Sequence, residues 1–148
     1  MTAENISFDQ IQEGLERSFT YQITAKDIDS FAEISGDYST LHMDTAFARR
    51  RGFRDRLVHG AFVGALVSRL VGMMLPGRDA VVQTIQLKFH NPTYADYNLE
   101  VKGKVMVKSE ALKMIQVAIS VNALNVAGIL VSGKVQIGFT QERGQNAD

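Results

Sequence analysis

At Pro76-Gly77 the hydrophobic period of this chain changes from that of a helix to that of a strand, and no other feature limits the fold as much. Ahead of the change, Ala61, Phe62, Ala65, Leu66, Leu70, Val71, Met73 and Met74 leave almost no polar face, the pattern of a helix covered by protein on most sides. Proline cannot continue the hydrogen-bond ladder and glycine takes a left-handed turn, so the helix stops there. Behind it, segments 81–89, 99–107, 115–121 and 129–139 alternate apolar with polar residues. The separators 91–96, 108–113 and 122–128 are short and rich in turn formers, which predicts an antiparallel meander. An opening strand over 18–23 (Ser-Phe-Thr-Tyr-Gln-Ile) adds a fifth. One face of such a sheet needs a cover, and the helix beginning near Val58 is long and apolar enough to supply it. The expected class is α+β, an antiparallel five-stranded sheet wrapped around one long central helix.

Between the opening strand and that helix the punctuation is local. Thr24 and Asp27 stand in the capping-box relation before a helix over 25–34, and Gly36 ends it. Asp44 caps a short helix through Thr45, Ala46, Phe47 and Ala48 toward Arg51, where Gly52 stops it. Asp37 and His42 are expected in the loop between these two helices.

Composition removes several function classes. The chain of 148 residues is 45% hydrophobic, enough for one domain over 1–148 with a frayed polar tail at 140–148. Sixteen basic and sixteen acidic side chains cancel to a net charge of +0, which argues against a nucleic-acid partner. With no cysteine there is no disulfide framework, thiolate nucleophile or zinc-thiolate cluster, and no metal is expected. His59, Arg69 and several glycines interrupt the apolar run 57–75, so a core helix is expected there and no membrane span. Residues 1–12 lack the pattern of a signal peptide, and a cytoplasmic location is expected.

Chemistry concentrates in residues 35–60. Taken singly, Asp37 reads as a turn residue and His42 as a hydrogen-bonded structural histidine. Their pairing ahead of an apolar helix shifts that balance, since a neighbouring carboxylate can fix an imidazole's tautomer and raise its basicity. His59-Gly60 opens the long helix, whose first N–H groups lack internal partners, and a glycine there lets a carbonyl oxygen approach them. An oxyanion site at Gly60 and a plain packing role for it both stay open, as does a role for His59 in capping or orienting the loop. Ser68 lies further along the same helix, either facing a site or bonding its own backbone. Arg49, Arg50, Arg51, Arg54 and Arg56 form a basic cluster that could contact phosphates or simply face solvent. His90, before Asn91-Pro92 at a strand end, has no evident partner and reads as structural. Gly64 and Ala65 would widen a pocket beside the helix and Phe62 would close it.

These residues resemble the MaoC-like hot-dog family, and within it the (R)-specific enoyl-CoA hydratases. The matching positions are Gly36, Asp37, Leu41, His42, Asp44, Ala46, Phe47, Ala48, Val58, His59, Gly60, Ser68, Leu75, Pro76 and Gly77, and the coarse strand order agrees to about residue 140. The resemblance implies that Asp37 and His42 act on a water that adds across the double bond of a trans-2-enoyl thioester to give an (R)-3-hydroxyacyl thioester. In that picture the Gly60 N–H polarises the thioester carbonyl, Ser68 and His59 support the binding site, and Ser39 supports the turn. The handle would be coenzyme A or an acyl carrier protein, with coenzyme A or phosphopantetheine as part of the substrate and no separate cofactor; Arg49, Arg50 and Arg54 would meet its phosphates. The chain departs from the family pattern at Ser39-Thr40, where the pattern has Asn-Pro. An acyl thioesterase of the same fold and a non-catalytic acyl-binding module stay open, although His42 beside Asp37 favours the hydratase. The family also implies a homodimer with sheets joined edge to edge, and a sheet of about five strands does leave open edges for pairing to cover.

Overall fold

Residues 16–22 alternate in exposure along their length, and they form the first strand, β1 (Glu16–Gln22), of a computed structural model that describes residues 2–140. The capping box then forms as its sequence requires. Thr24 N–H and Oγ1–H both donate to Asp27 Oδ2, at 2.7 and 2.8 Å, and Asp27 N–H donates back to Thr24 Oγ1. It starts α1 (Ala25–Ser35), which buries Ile28 and Ala32. Gly36 closes α1 at φ 73°, a left-handed turn that costs glycine little.

His42 does not lie in a loop as expected. It sits in a single helical turn, α2 (Thr40–Met43), which is followed at once by α3 (Thr45–Arg50). Asp44 is both the last cap of α2 and the first of α3, its Oδ1 accepting from Phe47 N–H at 2.9 Å. The long helix α4 (Gly60–Met73) buries Val63, Leu66, Val67, Leu70 and Val71 against the sheet. It is less enclosed than its composition suggested. Ala61, Ala65, Ser68 and Gly72 form an exposed stripe on its far side, so within one chain the helix is covered on its inner face only. No helix among the described residues is long and apolar enough to cross a membrane.

The remaining strands are β2 (Ala80–Phe89), β3 (Asn98–Ser109), β4 (Met114–Ala123) and β5 (Ile129–Phe139), close to the bounds their alternation predicts. Every pairing is antiparallel, but the order is β1-β3-β4-β5-β2, which corrects the simple meander. Only β3, β4 and β5 run as consecutive hairpins. β2 pairs with β5 at the far edge, so the segment 90–97 crosses the end of the sheet to reach β3. Three strand spacings are about 14 Å, well within the reach of that length of extended chain. Main-chain bonds pin the crossing segment: His90 N–H to Leu130 O at 2.8 Å, Val58 N–H to Thr93 O at 2.9 Å, and Ile23 N–H to Tyr97 O at 3.0 Å.

The core lies between α4 and the concave face, where Leu99, Val101, Val117, Val121, Val131 and Ile137 meet the helix's apolar side. Gly103 lets the two approach closely: a Cβ there would stand 2.8 Å from Leu70 Cδ2 and 3.0 Å from Val117 Cγ1. β2 lies at an unpaired edge, where Val81, Val82, Ile85 and Phe89 stay exposed. Thr140, placed with the tail by its sequence, is held by its N–H to Asp79 O at 3.0 Å. The tail over 141–148 lies outside the described residues.

Candidate active site

The turn after α1 brings its carboxylate back over its own backbone. Asp37 Oδ1 accepts the N–H of Ser39 at 3.1 Å, an Asx turn that delivers the chain into α2. Three residues later His42 projects from α2 toward the segment leading into α4, and its Nδ1 lies 2.8 Å from the carbonyl oxygen of Leu57. A carbonyl only accepts, so Nδ1 carries a hydrogen, and in the neutral ring it is Nε2 that holds the lone pair. The sequence suggested that Asp37 would fix this tautomer. A backbone carbonyl does so instead, because the Leu57 N–H and Leu41 O join at 3.0 Å and hold the two segments side by side.

Asp37 and His42 are nevertheless brought together. A carboxylate oxygen of Asp37 and one ring nitrogen from each of His42 and His59 lie within 4.8 Å of one another. The set is a poor metal cage. The two imidazoles are stacked, with centroids 3.9 Å apart and planes at 26°, so their lone pairs run side by side rather than toward one point. Each ring also commits a nitrogen to a main-chain carbonyl.

His59 occupies a different place from that expected of a substrate-facing group. It is 1% exposed, lies beneath His42, and puts its Nε2 2.9 Å from Asp37 O. Its side chain makes no capping bond at the start of α4, but its carbonyl accepts from Phe62 N–H at 3.0 Å.

A cleft of about 400 Å³ opens beside His42, lined among others by Leu57, Gly60, Val63, Phe89, His90 and Thr93. Its walls are mostly apolar, with few polar groups, the usual make-up of a small-molecule site. Gly60 is the first residue of α4, where N–H groups point out of the helix without internal acceptors. The Phe89 ring covers it closely: a Cβ on Gly60 would meet Phe89 Cζ at 3.0 Å. His42 and the helix N-terminus at Gly60 thus face one apolar cleft, and the Asp37 carboxylate, which does not line it, stands within 4.8 Å of the His42 ring, an arrangement suited to moving a proton beside a polarised carbonyl.

Other candidates are placed elsewhere. Ser68 is exposed on the outer face of α4, about 12 Å along the axis from Gly60, and does not line the cleft. Arg54 is spoken for, paired with Asp96 and stacked over Tyr94 at 4.2 Å, and its pairing holds the Asp96 carboxyl below the usual range. Arg56 pairs with Asp29 at 2.7 Å. Arg49 donates its Nε–H to Arg54 O, and Arg50 and Arg51 lie over the Phe47 ring; among the described residues these three have no carboxylate partner. None of the five arginines lines the cleft. Phe62, expected to close the pocket, packs instead against Tyr21 and Phe31.

His90, which its sequence position reads as structural and without a partner, has both a partner and a place in the cleft wall. It lines the same cleft as His42, with Nε2 2.6 Å from Ser132 Oγ on β5. Its place at the end of an alternating strand, just before Asn91-Pro92, marked it as a sheet-end residue, but its neighbour on β5 could not be read from β2 alone.

Residues 7–127 match the sequence model of the MaoC like domain. The chain belongs to this family. Among its MaoC-like relatives, the 3-hydroxybutyryl-CoA dehydratase of Methylorubrum extorquens is 35% identical over 98 residues, covering 66% of this chain and 62% of that protein. The mitochondrial 3-hydroxyacyl-[acyl-carrier-protein] dehydratase of Arabidopsis thaliana is 39% identical over 75 residues, covering 51% of this chain and 44% of that protein. The alignments therefore reach less than two thirds of the length of these two relatives. The solved R-hydratase PhaJ1 of Pseudomonas aeruginosa superposes with a TM-score of 0.86 at 28% identity, covering 95% of this chain and 89% of that one. The (R)-hydratase of Aeromonas caviae gives 0.82 at 24% identity over 88% and 98%, which shows the shared hot-dog fold.

Within this MaoC-like framework the turn tolerates Ser39-Thr40. Thr40 is the first residue of α2, a position whose N–H has no intrahelical partner, so the proline of the family pattern would have contributed stiffness and no hydrogen bond. Ser39 makes no side-chain cap; its backbone N–H supports the turn through Asp37 Oδ1.

Proposed function

We propose that this protein is a hydro-lyase that adds water reversibly to a trans-2-enoyl thioester, giving an (R)-3-hydroxyacyl thioester carried on coenzyme A or an acyl carrier protein. The observation that carries the reading is the meeting of Asp37 and His42 beside an apolar cleft at the N-terminus of α4. His42 Nε2 takes a proton from water as the oxygen bonds to C3. Charge then builds on the thioester oxygen, where the Gly60 N–H and the helix dipole stabilise it more than they stabilise the ground state. Asp37 holds the same water and assists return of a proton to the α-carbon, so the elements of water are added without a redox partner.

The relatives named for hydration and dehydration of thioesters support this class of substrate. The exposed apolar residues of β2 support the further reading that the protein is a homodimer paired along that edge, next to the cleft wall formed by Phe89 and His90. A soluble cytoplasmic enzyme is the setting this chemistry suits.

Incubation with crotonyl-CoA tests the reaction. Loss of the enoyl absorbance without free thiol, with the 3-hydroxy product in the R form, is the expected result. Release of thiol would identify a thioesterase instead, and an unchanged substrate would refute turnover of this class.

A further inference from the structure

We propose that His59 is a positioning residue for the Asp37 and His42 pair, acting from beneath the cleft as a neutral ring with its hydrogen on Nε2. The assignment of the hydrogen follows from its partner: Asp37 O, 2.9 Å away, accepts and cannot donate. Nδ1 is buried with no partner among the described residues, so no acceptor is there to hold a second hydrogen, and the neutral ring leaves this nitrogen a bare acceptor. Leaving a buried acceptor unpaired is destabilising, because it gives up its bond to water and gains none in the protein. A phenylalanine would fill the same space without that cost, and what it would lose is the N–H given to the main chain of Asp37.

The ring is also the middle member of a stack. His42 lies on one side at 3.9 Å, and Phe31 of α1 packs against it at 5.1 Å and 56°. Phe31 is itself held edge-on by Phe62 at 5.7 Å. One side chain therefore sets the height of the His42 plane and anchors the peptide that carries the Asp37 carboxylate. Through its own carbonyl, the same residue begins the helix whose first N–H groups face the cleft. His59 is buried beneath His42 and is absent from the cleft wall, so it is placed to act through these neighbours.

The kinetic arm of the test rests on the hydratase reading, and the spectroscopic arm stands apart from it. In His59→Phe, kcat on crotonyl-CoA falls on the order of tenfold, the scale of one lost hydrogen bond in the site, while KM and the melting temperature stay near wild type. His59→Gln, whose terminal amide can reach the Asp37 carbonyl, recovers much of that loss. Wild-type kcat in His59→Phe, or equal losses in both variants, would reduce His59 to core filling and overturn the proposal. Ring-nitrogen NMR of the unmodified protein covers the case in which His59→Phe does not fold: hydrogen on Nε2 alone supports the assignment, and hydrogen on Nδ1 overturns it. A wild-type protein inert toward enoyl thioesters would remove the functional reading, leaving the placement of His59 to be decided by that spectrum.

Discussion

The Nδ1–H of His42 is given to the carbonyl oxygen of Leu57 at 2.8 Å, which turns the imidazole's remaining lone pair into its only reactive position. The bond ties α2 to the segment that feeds α4, which fixes where the base stands relative to the helix N-terminus. Replacing His42 by Ala removes the base without disturbing the core. Steady-state kinetics on crotonyl-CoA are expected to show kcat reduced about 10²–10⁴-fold, the usual worth of general acid-base catalysis, with the melting temperature little changed.

Asp37 serves the turn through Oδ1 and the proposed chemistry through its charge, and two substitutions separate these. Asp37→Asn keeps an oxygen to accept the Ser39 N–H, so it should fold like the wild type and lose about 10²–10⁴-fold in kcat. Asp37→Ala loses the turn bond as well and should cost a further ~1 kcal/mol in unfolding free energy. Equal activity in wild type and Asp37→Asn would remove the carboxylate from the mechanism.

Gly60 is sized by Phe89. A methyl group at Gly60 would meet the Phe89 ring at 3.0 Å, and the ring, 52% exposed, has room to move into the cleft. Gly60→Ala should therefore raise KM for the enoyl thioester about tenfold, ~1.4 kcal/mol, with no loss of thermal stability, since alanine suits a first helical turn. Trimming the ring in a Gly60→Ala, Phe89→Ala double variant should return KM toward the wild-type value.

The approach to α4 is held by a carboxylate with an acid-sensitive grip. Asp55 Oδ1 accepts the Thr45 hydroxyl and the Arg56 N–H, both at 2.7 Å, and these bonds hold its carboxyl below the ordinary value of 3.8. A depressed folded-state pKa contributes stability that is present above the unfolded value and lost as pH falls through the folded one. Denaturation midpoints should drop as pH falls through 3.8 and below it, and Asp55→Asn should be less stable at neutral pH with a shallower acid slope. A slope identical to wild type would show that the bond contributes nothing to folding.

The exposed edge of β2 predicts an assembly. Ile85, 40% exposed, stands in the middle of that edge beside Val82. A lysine there would disfavour pairing with another strand. Sedimentation of the wild type should show a dimer and Ile85→Lys a monomer, whereas a wild-type monomer would dismiss the edge-pairing proposal.

What the sequence determined by itself is whatever depends on neighbours a few residues apart. The Thr24 and Asp27 box, the left-handed stop at Gly36, the cap that Asp44 gives α3 and the alternation of β3, β4 and β5 all formed where the residues called for them, because each is closed by bonds within one turn or one hairpin. The nearness of Asp37 to His42 is of the same kind, since a single bend separates them. Tertiary structure alone decided that β2 leaves its sequence neighbour β3 to pair with β5, that Leu57 holds the His42 tautomer, that His59 lies under His42 and out of the cleft, and that Ser132 sits beside His90. Those contacts join segments whose separation along the chain carries no periodic signal, and they become favourable only once α4 and the sheet have enclosed a common core.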